Sequence, residues 1–183
     1  MKAPADPPFE IPPGQPWALV VMGVSGSGKS TLAAALALRY GAVYLDADDY
    51  HDEDARAQMA RGVPLEDGQR APWVARLAAT LAAHAAAGRN TVLAFSGLRR
   101  EHRQRLRESR VPMRFLFLQA APALIAARLG ARAGHFMPAS LLDSQFEALQ
   151  APDGEPDVIA VDIDGTPEEV LARAVAGLAA VPG

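Results

Sequence analysis

The sequence predicts an α/β fold, a five-stranded parallel sheet covered by helices on both faces, and three observations predict it. First, five short apolar runs suited to buried strands, at 17–22, 42–45, 91–95, 113–118 and 157–163, alternate with alanine-rich helical segments near 30–40, 71–87, 99–110, 121–133, 139–149 and 167–180. Strands that alternate with helices require crossover connections, hence parallel pairing with both faces covered. Second, a glycine-rich turn at 23–28 joins the first run directly to the first helical segment. Third, the helix ends carry local signals. Thr166-Pro167-Glu168-Glu169 offers an N-cap Thr, a Pro at the first helical position and a Glu at the third, while Gly41 and Gly88 follow helical runs as C-cap glycines.

At 183 residues, half of them hydrophobic, the chain is long enough to bury a core as one domain, expected over 16–183. Residues 1–15, with six prolines before Trp17, are expected to form a flexible tail. A formal charge of -3 argues against general nucleic-acid or membrane-surface partners. The absence of cysteine excludes disulfides, thiolate metal sites and cysteine nucleophiles. No continuous apolar stretch reads as a signal peptide or membrane span, so a cytoplasmic enzyme is the expectation.

The glycine-rich turn carries the first chemistry. Gly23-Val24-Ser25-Gly26-Ser27-Gly28-Lys29-Ser30-Thr31 matches the phosphate-binding pattern G-x-x-x-x-G-K-[ST], with the strand before it and the helix after it that the motif needs. Glycines let successive backbone N–H groups turn inward onto phosphate oxygens, and the helix N-terminus adds its unpaired amides. Lys29 is expected on the β- and γ-phosphates of a nucleoside triphosphate and the Ser30 hydroxyl on Mg²⁺. Of 18 basic residues only Lys2 and Lys29 are lysine, so a compact ammonium stands where a planar guanidinium would fit poorly.

Ligands in parallel sheets gather at the carboxyl ends of the strands. There the sequence offers Asp46-Ala47-Asp48-Asp49-Tyr50-His51. In an extended stretch Asp46 and Asp48 share one side, so one can order Mg²⁺ through its waters while the other accepts a hydrogen bond from an attacking hydroxyl. The same spacing also suits an acidic surface turn. Arg70, at the end of a loop leading to a helix expected near Pro72, is either a surface cation or an anion ligand. Ser96-Gly97-Leu98-Arg99 and Arg103 end the third strand, where a guanidinium fork can clasp a carboxylate. Arg128 and Arg132 are four apart on one helix face, flanked by Gly130 and Gly134, and suit a small mobile lid near 128–140 or a plain helix end. Asp162-Ile163-Asp164-Gly165-Thr166 spells a phosphatase-like pattern, yet only 17 residues follow it, so it reads as strand end and helix cap.

Together these segments resemble the gluconokinase family of small P-loop sugar-acid kinases, from the phosphate loop to the last helix. The markers are GVSGSGKST at 23–31, Asp46, Asp48 and His51, Gly62-Val63-Pro64-Leu65, Arg70-Ala71-Pro72-Trp73, Ser96-Gly97-Leu98-Arg99 with Arg103, and Arg132-Ala133-Gly134-His135-Phe136 continuing to Gln145-Phe146-Glu147. The resemblance implies a P-loop kinase-type three-layer α/β/α fold and Mg²⁺- and ATP-dependent phosphorylation of the 6-hydroxyl of D-gluconate, usually by a homodimer. It implies catalysis by Lys29, Asp48 and Arg132, nucleotide contacts from residues 23–31 and Arg128, metal ligation by Ser30 and Asp46, and acceptor contacts from Asp48, His51, Arg70, Ser96, Arg99, Arg103, His135 and Gln145. The chain departs from the family pattern at Asp52, Ala55 and Gln58, where Pro, Asn and Lys are usual, at Gln69, usually acidic, and at His102, usually aromatic. Another small hydroxylated acid such as shikimate, or a nucleotide-binding regulator without transfer, are the alternatives.

Overall fold

The computed structural model describes residues 7–131 and 139–180. Five strands, β1 (Ala18–Met22), β2 (Val43–Asp46), β3 (Thr91–Phe95), β4 (Met113–Gln119) and β5 (Val158–Asp162), form one sheet of order β2-β3-β1-β4-β5. All four pairings are parallel, in agreement with the sequence expectation. The helices are α1 (Lys29–Tyr40), α2 (Glu53–Ala60), α3 (Asp67–Ala86), α4 (Arg100–Arg107), α5 (Pro122–Ala131), α6 (Ala139–Ala148) and α7 (Pro167–Ala180).

Because strand side chains alternate between faces, β1 divides its residues between two cores. Leu19 and Val21 pack with α1 (Leu32, Leu36) and α7 (Val170, Leu178) on one face. Ala18, Val20 and Met22 pack with α3 (Trp73, Leu77, Leu81) and Leu106 of α4 on the other. Each fully buried leucine of α3 is worth about 2–5 kcal/mol against Ala. β1 therefore lies at the centre of the sheet with no exposed face, and the loop that follows it starts from a rigid base.

Three local outcomes differ from the sequence expectations. Helix α2 lies outside the segments expected to be helical; it forms because the Asp52 carboxylate accepts from the N–H of Ala55 and caps its first turn. Helix α3 starts five residues before Pro72, through a capping box in which Glu66 and Gln69 satisfy each other's backbone. Pro72 then falls one turn inside the helix, where it forfeits the bond to the Gly68 carbonyl. Within the proline-rich N-terminal stretch, Phe9 is 5% exposed, edge-on to Trp17 at 6.2 Å and beneath the Arg114 guanidinium, so the segment docks there.

Candidate active site

The phosphate loop leaves β1 and enters α1 through three left-handed or near-extended glycines. Gly26 has φ 81°, and a Cβ there would lie 2.8 Å from Leu129 of α5, so both conformation and packing demand glycine. Gly28, at φ 94°, is the N-cap of α1 and has no side chain to cover the helix amides. The Val24 carbonyl accepts from Ser27 Oγ at 2.7 Å and from Lys29 Nζ at 3.1 Å. The ammonium thus lies folded over its own loop, close to where the motif uses it.

Asp46 ends β2 and is fixed on three sides. Its Oδ2 accepts from Ser30 Oγ at 3.2 Å and Tyr44 Oη at 3.0 Å, and its Oδ1 accepts from the backbone N–H of Asp48 at 3.0 Å. This last bond turns the chain into a single 3₁₀ turn over Ala47–Tyr50. The DxD segment is therefore not extended; Asp48 approaches Asp46 because a carboxylate caps the turn. Partial removal of water around Asp48, followed by the repulsion of Asp46, raises its carboxyl above the ordinary value, while His51 and Lys29 pull the other way. Its side chain still has 86% of its surface open, so solvent moderates the shift.

His51 is 8% exposed and stacks on Trp73 at 4.1 Å, the rings 19° apart. Trp73 itself is locked by donating to the Ala47 carbonyl at 2.8 Å and serves as packing. Burial pushes the His51 pKa down against the pull of Asp48 and Asp52, favouring the neutral ring. Its Nε2 lies 3.9 Å from Asp48 Oδ1, and its buried Nδ1 has no hydrogen-bond partner among the described residues.

Arg70 and Arg99 come together across α3 and the start of α4. Both approach Asp67 Oδ1, at 3.7 and 3.1 Å. Burial and the nearby Arg99 outweigh Asp67 and lower the Arg70 pKa, though a guanidinium stays charged at any pH of interest. The Arg99 Nε is buried and makes an ion-pair approach to Asp67 without hydrogen-bond alignment, so its N–H has no acceptor among the described residues. Ser96, directly after β3, is half-buried, its carbonyl accepting from the N–H of Gly23 at 3.1 Å, which ties the end of β3 to the phosphate loop.

Other expected residues lie elsewhere. Arg103 is fully buried: Glu155 accepts from its Nε and Nη2, and the carbonyls of Gly97, Leu98 and Gln150 take most of the rest. With its donors spent inside the protein it holds the β3–α4 loop and does not reach an acceptor. Gln145 is on the nucleotide side. Its Oε1 accepts from the N–H of Ser25 at 2.7 Å and its Nε2 donates to Ser25 Oγ at 3.0 Å. Five residues on, Gln150 Oε1 accepts from the N–H of Arg100, and its own N–H donates to Leu98. One helix end thus braces both the phosphate loop and the arginine loop. Arg128 donates to the carbonyls of Ile163 and Gly165 at the β5–α7 turn. Arg132 and His135 lie outside the described residues. Among the described residues no cluster of three metal-ligating His, Cys, Asp or Glu exists. A hydroxyl and one fixed carboxylate, Ser30 and Asp46, nevertheless fit Mg²⁺, which takes few protein ligands and completes its shell with phosphates and water.

The comparisons agree with this geometry. A family profile described as "AAA domain" matches residues 19–152. The gluconokinase of Gluconobacter oxydans (strain 621H) is 41% identical over 157 residues, covering 86% of this chain and 88% of the relative. A probable gluconokinase of Rattus norvegicus is 42% identical over 172 residues, 84% of this chain and 93% of the relative. The crystal structure of a gluconokinase from Sinorhizobium meliloti 1021 superposes with a TM-score of 0.83 at 39% identity, over 90% of this chain and 92% of that one. On sequence and fold alike, the chain belongs to the gluconokinase family, a family of ATP-using P-loop kinases that phosphorylate an alcohol group.

Proposed function

We propose that the protein transfers the γ-phosphoryl group of ATP to the 6-hydroxyl of D-gluconate, giving 6-phospho-D-gluconate and ADP, as a cytoplasmic homodimer. The observation that carries this reading is the Asp46 carboxylate, which joins Ser30 of the phosphate loop to the backbone of Asp48. It sets a candidate base against the phosphates, with the guanidinium pair of Arg70 and Arg99 available for the carboxylate of an open-chain acid. Relatives named gluconokinase point to the same acceptor.

Lys29 leaves the Val24 carbonyl for the β- and γ-phosphates, and the amides of residues 26–30 hold the remaining oxygens. Ser30 and Asp46 would hold Mg²⁺, which neutralises phosphate charge when bound. Arg70 and Arg99 bind the acceptor carboxylate, and the His51 Nε2, 3.9 Å from Asp48 Oδ1, is the ring atom on the acceptor side. The O6–H proton passes to the Asp48 carboxylate, whose raised pKa makes it the better base, as the O6–P bond forms and the bond from Pγ to the ADP oxygen breaks. Arg132 and Arg128 are the guanidiniums suited to the transferring group, once Arg128 exchanges its carbonyl partners for phosphate.

A coupled assay with ATP, Mg²⁺ and a panel of D-gluconate, other aldonates, shikimate and nucleoside monophosphates tests the reading. Gluconate is expected to give the highest kcat/KM; no turnover above the acceptor-free control refutes it.

A further inference from the structure

Asp67 is the one residue of the arginine pocket that sequence reasoning left unassigned, and its position is specified. It is the first residue of α3, held by the Glu66–Gln69 capping box, and its Oδ1 is shared by Arg70 of the same helix and Arg99 at the N-cap of α4. His102 lies beside the three, buried, with its pKa lowered chiefly by burial, so it adds no charge near neutral pH. Asp67 offsets one of the two guanidiniums, and Glu101, 3.8 Å from the His102 Nε2, offsets much of the other. The three side chains remain a quarter to a half exposed, so an acceptor group can approach the guanidiniums with Asp67 still in place. One carboxylate pairs with the two guanidinium forks, whereas the second charge of a dianionic end group meets little remaining positive charge and lies against Asp67.

We propose that Asp67 is a specificity-determining residue that sets the acceptor pocket to recognise a monoanionic end group and to reject a dianionic one. The inference rests on the aldonate kinase reading above. A second unit charge of like sign within a few ångströms of Asp67, in a half-exposed cleft, is expected to cost about tenfold or more in binding. The rejected class is the phosphate monoester end of a sugar or polyol, which keeps the carbon chain of the aldonate, lengthens it by the ester oxygen and phosphorus, and is doubly charged at the anchoring end.

The test compares D-gluconate with D-glucitol 1-phosphate, which keeps the distal primary hydroxyl and replaces the carboxylate by a dianion. In Asp67→Asn the ratio of kcat/KM for the phosphate ester over that for gluconate is expected to rise about tenfold or more, the inhibition constant serving where turnover is too slow. If Asp67 only ties α3 to α4, both acceptors weaken together and the ratio stays constant, which overturns the proposal. Asp67→Ser is made in parallel, with wild-type ATP affinity as the check that either variant is folded. The unaltered protein supplies a second measurement that needs no variant. The methyl diester of the same phosphate carries one charge and is expected to bind about tenfold more tightly than the monoester; equal affinity also overturns the proposal. Absence of gluconate turnover by the wild type removes both the acceptor assignment and this role, whereas turnover with an unchanged ratio removes the role of Asp67 alone.

Discussion

Gln145→Ala is the perturbation that most sharply separates the observed geometry from the acceptor role that the family resemblance suggests for this residue. The Gln145 amide makes two hydrogen bonds to Ser25, one to its N–H and one to its hydroxyl. At about 0.5–1.5 kcal/mol net each, their loss leaves the phosphate loop less ordered by about 1–3 kcal/mol. Nucleotide binding must then supply that ordering, so KM for ATP should rise by a factor between about 5 and 150. The KM for gluconate should stay within about twofold, since the nearest acceptor-side tie of α6 runs through Gln150, which is unchanged. Initial rates over a matrix of ATP and gluconate concentrations give both constants, and melting with and without ATP analogue checks the fold. An unchanged KM for ATP with a raised KM for gluconate refutes the reasoning and returns Gln145 to the acceptor.

Other perturbations follow from the same contacts. Lys29→Ala and Asp48→Asn are each expected to lower kcat by about 10² or more, measured by steady-state assay; wild-type rates in either remove that residue from the mechanism. Because the Asp48 pKa is raised, activity should fall on the acid side at a pH above that of an ordinary carboxylate, and a pH profile of kcat/KM whose acid limb disappears in Asp48→Asn is the expected result. Glu155 is 10% exposed and its pKa is lowered to about 2 by the hydrogen bonds of Arg103 and then Arg107, against the cost of burial. Its folded pKa lies below its unfolded one, so its stabilisation, on the order of 3 kcal/mol, is complete above about pH 4.5 and lost as pH falls toward 2. Glu155→Gln strands the buried Arg103 charge and should cost about 3–5 kcal/mol in denaturant unfolding at neutral pH; a cost under 1 kcal/mol contradicts the buried pair. Gly26→Ala should abolish measurable ATP binding by calorimetry, because the added Cβ meets Leu129 in a left-handed backbone.

The sheet and the phosphate loop were legible because their signals are local. Apolar runs of strand length and a glycine pattern with a strand before it do not depend on distant partners. The arginine-rich segment 99–110 was not legible in the same way. Which guanidinium points outward depends on Glu155, 52 residues beyond Arg103, and on the carbonyls of the β3–α4 loop. A weak signal was present: Leu106 is the only aliphatic residue of α4, and Arg103 and His102 are one turn before it, hence on its buried face. Gln145 had a similar signal, since Leu142 and Phe146 form the inward stripe of α6 and Gln145 sits beside it. A polar residue beside such a stripe seeks a polar partner inside.

The departures from the family pattern also become clearer. Gln58 and Gln69 stand where Lys and an acid are usual, and they bond to each other, Gln69 Nε2 to Gln58 Oε1 at 2.9 Å. One amide pair between α2 and α3 replaces one charge pair, with no change in net charge. Asp52, in place of Pro, caps α2, and His102, in place of an aromatic ring, is buried. None of these substitutions removes a group from Asp48, Arg70 or Arg99.

The central claim is that this cleft delivers phosphate to the terminal hydroxyl of an aldonate held by Arg70 and Arg99. Phosphorus and carbon NMR of the product from ATP and D-gluconate tests it most directly. A single phosphate ester whose phosphorus couples to the C6 protons is the predicted result; a phosphate on any other oxygen, or ADP formation with no phosphogluconate, would contradict the account.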